Sequence, residues 1–162
     1  MYRGLTKLEI LGIAIKKEKD AAKFYQDLAG RIPNPIVKEK FSSLAKEERK
    51  HRAILNAEYK RITGGEKPVL PEKWKADRPE ASISPDAPIE ELLLFAIERE
   101  KDAQKLYRSG AKTAEGESGR VMFEYLVEFE KGHERALKAE LAFYKKAPLF
   151  FEQYEEGIHV GV

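Results

Sequence analysis

Cysteine is absent from the 162 residues. That excludes disulfide scaffolds, thiol catalysis, Cys-ligated zinc, iron–sulfur clusters and the four-cysteine type of iron site. An excess of charge of one sign is also missing: 30 Lys and Arg stand against 28 Asp and Glu, a formal +2 although 36% of residues are charged. A dedicated nucleic-acid binder normally carries a strong basic excess, so nucleic acid is not an expected partner. No stretch approaches the ~18 apolar residues of a membrane span. The N-terminal candidate, LEILGIAI, contains Glu9 and runs into KKEKD with no small-residue cleavage site, so it does not read as a signal peptide. No membrane partner is expected, and a cytoplasmic location is. Strand signals are nearly lacking as well. What remains is 42% hydrophobic content, enough for one globular core and too much for a disordered chain.

Proline and glycine gather in a few places. Residues 63–88 hold five of the eight prolines and a Gly-Gly pair, which rules out a long helix and predicts a connection. Within it, the Ser82–Asp86 stretch offers a cap for the helix that follows. Shorter breaks fall at GRIPNP (30–35) and GESG (116–119). Between them lie four proline-free segments rich in helix formers, 4–29, 36–62, 89–114 and 120–146. Each carries an apolar stripe at helical spacing, such as Leu11, Ala14, Ile15, Ala22, Tyr25 and Leu28 in the first. The expected fold class is therefore all-α, a four-helix bundle about 38 Å long at 1.5 Å per residue. The long connection suits a crossover along the bundle better than a turn between antiparallel neighbours. The expected organisation is a bundle over 1–146, made of helical hairpins 4–62 and 89–146 joined by the crossover 63–88, and a C-terminal tail over 147–162.

The hairpins repeat each other. AIKKEKDAAKFY (14–25) matches AIEREKDAQKLY (96–107) at an offset of 82, and the same offset aligns FSSLAKEERKH (41–51) with FEYLVEFEKGH (123–133). Two such hairpins bury a core by packing about a pseudo-two-fold axis. Residues 1–62 carry fifteen basic and eight acidic side chains, residues 89–146 eleven and twelve. This reads as mutual attraction of hairpins or subunits, with an anionic partner as the alternative.

The stripes are interrupted by residues of the wrong chemistry. Glu18 lies between Ala14/Ile15 and Ala21/Ala22, and Glu100 between Ala96/Ile97 and Ala103. Glu48 and His51 fill the gap between Leu44/Ala45 and Leu55; Glu130 and His133 fill that between Leu126/Val127 and Leu137. Every helix thus turns a carboxylate inward, and two add a histidine three residues on, on the same face. An unpaired carboxylate in a low-dielectric interior costs several kcal/mol, and four would also repel one another. Two divalent cations offset four negative charges, and imidazole suits iron, manganese or zinc. One Glu on each of two helices with Glu-x-x-His on each of the other two is the arrangement of di-iron and di-manganese bundles. The competing reading turns the glutamates to the surface by a small helix twist and leaves two ordinary core histidines. Glu-x-x-His alone is a weak signal: Glu156 and His159 also satisfy it, in a Gly-containing tail with no repeat partner, and that copy reads as chance.

Glu18 with Tyr25, Glu48–Arg49–Lys50–His51, Glu100 with Tyr107, and Glu130–Lys131–Gly132–His133 resemble the erythrin domain of rubrerythrins, in the ferritin-like superfamily. The resemblance covers about residues 8–146. It implies a ferritin-like bundle with two irons, bridged by Glu48 and Glu130, with Glu18 and Glu100 as terminal ligands and one nitrogen from each of His51 and His133. It also implies reduction of hydrogen peroxide with electrons from a separate donor protein, since a cysteine-ligated rubredoxin site is excluded. Some relatives oxidise ferrous iron with dioxygen, so a ferroxidase is the alternative enzyme. A redox-silent, metal-stabilised structural bundle holding zinc or manganese is the alternative from another class. One departure bears on the choice. Rubrerythrins usually carry a further carboxylate one turn beyond the third-helix ligand; here Ala103 stands there and Ala21 at its repeat position, which moves the site towards the six-ligand pattern of bacterioferritin-like centres.

Other residues carry smaller expectations. Helical side chains lean towards the N-terminus, so Tyr25 and Tyr107, seven residues after Glu18 and Glu100, can approach the centre and orient a carboxylate. Asp20 and Asp102 sit about 200° round their helices from Glu18 and Glu100 and are expected in solvent. Trp74 is expected to anchor the crossover, and the aromatic, acidic tail to dock on the bundle or on a neighbouring subunit. A homodimer or higher homo-oligomer is expected, and a long Pro-rich crossover makes helix exchange between subunits geometrically easy.

Overall fold

The computed structural model describes residues 2–76 and 83–153. Four long helices form a bundle: α1 (Lys7–Arg31), α2 (Pro35–Thr63), α4 (Ile89–Thr113) and α5 (Glu117–Lys146). Two five-residue helices accompany them, α3 (Glu72–Ala76) in the crossover and α6 (Pro148–Glu152) after the last long helix. No strand occurs among the described residues.

The first two helices start on strong local signals. Thr6 and Glu9 form a reciprocal capping box at α1, with Thr6 Oγ1 accepting from Glu9 N at 3.2 Å and Glu9 Oε2 accepting from Thr6 N at 2.9 Å. Asn34 caps α2 by accepting from the Ile36 and Val37 amides, with Pro35 next to it in the first turn. Gly64, at φ +74°, ends α2 in the left-handed conformation that a side chain would resist. The second hairpin is less well announced. Its helices follow Pro88 and Gly116 with no side-chain cap. The expected cap from the Ser82–Asp86 stretch is not made: Ser84 Oγ accepts from the Asp86 amide, a local turn, and Ser82 lies outside the described residues. Gly30 and Arg31 prolong α1 into the expected break, and α5 begins at Glu117 inside the GESG segment. A single interior glycine costs only about 1 kcal/mol, less than the burial of Ile32 just beyond it supplies.

Helix α1 packs along α2 and α4, and α4 along α5. Contacts Tyr25–Glu100 and Tyr107–Glu18 run antiparallel between α1 and α4, and Lys40–Glu140 and Glu47–His133 do so between α2 and α5. Diagonal partners α2 and α4 are therefore parallel, so the chain between them must travel the length of the bundle. The described parts of that connection meet α1 near both of its ends. Near the start of that helix Val69 O would lie 2.4 Å from a Cβ on Gly12, a backbone approach only glycine permits. At the other end Arg31 Nη1 donates to the carbonyls of Pro85 and Ala87 at 2.8 and 2.6 Å. Trp74 packs on the bundle with Leu70, as expected of an anchor.

The apolar core is split in two. One cluster holds Tyr25, Leu28, Phe41, Leu93, Leu137 and, from α6, Phe151. The other holds Ile10, Leu11, Leu55, Leu106, Tyr107 and Phe123. The first stretch of the tail thus docks on its own bundle, while residues 154–162, with Glu156 and His159, lie outside the described residues. No described helix is long and apolar enough to cross a membrane. Between the two clusters lies a layer of charge.

Candidate metal centre

That layer is Glu18, Glu48, His51, Glu100, Glu130 and His133, each at most 4% exposed. The surface-rotated reading of these residues is thereby ruled out. Their stripe positions explain the convergence: each occupies the core-facing register of its helix at mid-length, so packing the apolar neighbours above and below carries the polar groups inward.

The oxygens are shared unequally. Glu48 offers Oε2 to His51 Nδ1 at 3.3 Å and Oε1 to His133 Nδ1 at 2.9 Å. Glu130 does the same, with Oε1 3.3 Å from His51 and Oε2 3.1 Å from His133. Glu18 lies near His51 alone, at 3.9 Å, and Glu100 near His133 alone, at 3.7 Å. Two overlapping groups result, Glu18–Glu48–His51–Glu130 and Glu48–Glu100–Glu130–His133, with the potential ligand atoms of each within 4.8 Å of one another. Glu48 and Glu130 belong to both. The imidazole rings stack with centroids 5.8 Å apart.

These donors fit a pair of cations. Glu18 Oε2, Glu48 Oε2, Glu130 Oε1 and His51 Nδ1 are buried without a hydrogen-bond partner, a cost of about 1–3 kcal/mol each if nothing else faced them. His133 can donate Nε2–H to Glu47, which leaves an Nδ1 lone pair pointing at carboxylate oxygens. Only a cation, or a proton, relieves that opposition. Protons do so when metal is absent: burial pushes the Glu18 and Glu130 carboxyls well up, and the neighbouring glutamates push them further. Burial pushes Glu48 up too, but the polar groups of Glu18, His133 and His51 facing it outweigh burial and hold Glu48 well below the usual range. Burial pulls His133 down, yet Glu100 and Glu48 carry it up to about 11.

Both tyrosines reach the centre, by crossing between hairpins rather than back along their own helices. Tyr25 Oη donates to Glu100 Oε1 at 2.5 Å, and Tyr107 Oη donates to Glu18 Oε1. Burial first, then the facing glutamate, pushes both phenols well above their ordinary value, so they stay protonated donors. A cavity of about 20 Å³ opens between α1 and α4, lined by Lys17, Glu18, Ala21, Arg99, Glu100 and Ala103 among others. The two alanines leave that side without a further carboxylate.

Two features escaped the sequence reading. Asp102 is not simply solvated: it pairs with Lys17 and accepts from Tyr2 Oη at 2.8 Å, tying α4 to α1 and the N-terminal segment. Asp20, by contrast, forms a half-exposed i,i+4 pair with Lys16. Glu47 is the second feature, with Oε2 2.5 Å from His133 Nε2. It hides beside Glu48 in a charged run; the available signal was its repeat partner, Phe129, which differs from it in kind.

The family model described as Rubrerythrin matches residues 9–141. Among solved structures, a hypothetical protein of Pyrococcus furiosus is 30% identical with a TM-score of 0.77, the match covering 93% of this chain and 94% of that one. Bacterioferritin of Rhodobacter capsulatus, described with a metal-free dinuclear site and haem iron, is 22% identical with a TM-score of 0.70, covering 93% and 96%. The manganese catalase KatB of Anabaena is 17% identical with a TM-score of 0.67, covering 97% and 82%. The latter two, at this identity, show a shared fold. A search of curated proteins finds no match.

Proposed function

Because the chain belongs to the rubrerythrin family of ferritin-like di-iron carboxylate proteins, we propose that it is a non-haem di-iron oxidoreductase that reduces hydrogen peroxide, in the cytoplasm, with electrons from a separate donor protein. The observation that carries this reading is the pair of buried four-residue groups sharing Glu48 and Glu130. In it Glu48 and Glu130 would hold both irons, Glu18 and His51 one, and Glu100 and His133 the other. Bound there, a ferrous pair would supply the two electrons that, together with two protons from solvent, turn one hydrogen peroxide into two waters.

The chain's own residues do the rest. Tyr25 and Tyr107 fix the orientation of Glu100 and Glu18, leaving each carboxylate's other oxygen free to face a metal. The apolar clusters on either side exclude bulk water. The small cavity between α1 and α4 admits an oxidant no larger than a few atoms, and Ala21 and Ala103 keep it open.

Those alanines are also the observation that favours a second reading, in which the protein is a ferroxidase with ferrous iron as substrate and dioxygen as oxidant. Stopped-flow consumption of peroxide against dioxygen by the reduced protein separates the two. A centre that holds metal but shows no absorbance change on oxidation would replace both with a zinc or manganese structural site. Glu48→Ala and His133→Ala are expected to lower metal content from two per chain to one or none. Full metal content and full activity in both variants would remove the assignment.

A further inference from the structure

The internal repeat makes the two halves of the centre comparable, and they are not alike. Residues 47 and 129 stand 82 positions apart, as His51 and His133 do, and occupy equivalent places in the two hairpins. Each meets the histidine of the opposite hairpin. Glu47 Oε2 lies 2.5 Å from His133 Nε2, on the side of the ring away from the carboxylate cluster. The Phe129 ring meets His51 edge to face, with centroids 4.9 Å apart. A pseudo-symmetric centre is therefore backed by a carboxylate on one side and a hydrocarbon on the other.

We infer that Glu47 is a positioning residue that makes the His133 half of the centre the tighter cation site, leaving the His51 half to fill last and empty first. The inference rests on the two-cation reading above. A carboxylate that accepts Nε2–H settles which ring nitrogen carries the proton and turns the Nδ1 lone pair inward. It also sets negative charge against the ring, which strengthens the nitrogen as a donor. Partners of this kind typically alter metal affinity about 10–100-fold. Phe129 accepts no such bond and orients His51 by packing alone. The Glu47 side chain is 40% exposed, so water screens part of its charge and the effect belongs at the lower end, about tenfold.

Anaerobic titration of the metal-free protein with cobalt(II), followed by calorimetry and visible absorbance, tests this. The wild-type chain is expected to bind two equivalents in two steps about tenfold apart. Glu47→Gln is expected to weaken the first step about tenfold while leaving the second in place, so that the two merge. Phe129→Glu, which installs the repeat partner's carboxylate, is expected to strengthen the second step. Nitrogen-edited NMR of the zinc-loaded protein supplies a readout that packing would not move: the His133 Nε2–H resonance shifts in Glu47→Gln and the His51 ring does not. Two equal steps in the wild type, or a Glu47→Gln protein with both steps within twofold of wild type, would overturn the inference and leave the two-cation reading intact. A wild-type chain that takes up fewer than two cations would overturn both.

Discussion

Tyr25 and Tyr107 each donate to a buried carboxylate on the other hairpin. Phenylalanine at either position leaves Glu100 Oε1 or Glu18 Oε1 unsatisfied in a dry interior. Tyr25→Phe and Tyr107→Phe are expected to destabilise the metal-free protein by about 1–3 kcal/mol, measured by urea unfolding, and to weaken metal binding about tenfold or more. At the opposite end of α1, Glu58 is held by Arg61 and Lys7, at 2.7 and 2.8 Å. The Arg61 hydrogen bond leads in pulling its carboxyl from 4.5 down to about 2, with Lys7 adding to it against the opposing effect of burial. A carboxyl lowered on folding stabilises fully above its unfolded value, and that stabilisation fades as pH falls. The expected window is therefore between about 4.5 and about 2. Glu58→Gln is expected to lack this component, so that its stability deficit against wild type, followed by urea unfolding, narrows across that window. A deficit that stays constant would contradict the assignment.

Helix α1 supports the crossover through Gly12. A methyl group there would meet the Val69 carbonyl oxygen at 2.4 Å, and a carbonyl in a pinned segment cannot swing aside as a side-chain tip can. Val69 is held besides, its amide donating to Tyr59 Oη at 3.2 Å. Gly12→Ala gains about 1 kcal/mol of helix propensity but overpacks at a typical cost of about 1–3 kcal/mol. A net loss of stability on thermal unfolding is expected, whereas Ala at Gly30, where a Cβ meets nothing within 4 Å, should stabilise. The four helices were readable from stripes and Pro/Gly breaks because each has an apolar face long enough to outvote local noise. Their ends were less so. Gly30 and Gly119 lie inside helices since packing outweighs a weak propensity, and the second hairpin starts without the side-chain caps that make a boundary visible.

For the bundle as a whole, a buried layer of Glu and His able to hold metal predicts a stability that depends on cations. In the metal-free protein burial and the neighbouring glutamates favour the protonated carboxyls of Glu18 and Glu130; metal bound as proposed would take the place of those protons. A ligand at a thousand times its dissociation constant adds about 4 kcal/mol per site, and at about 2–4 °C per kcal/mol for a chain of this length one filled site raises the melting temperature by about 8–16 °C. Chelation is expected to lower the melting temperature by that order and ferrous or zinc ions to restore it, with a smaller restoration in Glu48→Ala. A melting temperature unmoved by chelator would count against a metal at the bundle's centre.

The six core-facing Glu and His positions were legible in one dimension because helical periodicity assigns a face to every residue, and the repeat showed the same exception to the stripe in both hairpins. Which partners those side chains meet was not. Tyr25 lies on the helix of Glu18 yet serves Glu100, Asp102 reaches Lys17 and Tyr2, and Glu47 backs His133 while Phe129 backs His51. Periodicity tells how far round its own axis a residue points, but it carries no information on the azimuth and height at which a neighbouring helix docks. Those are settled when the two apolar clusters pack, and with them the choice of which carboxylate each buried donor finds.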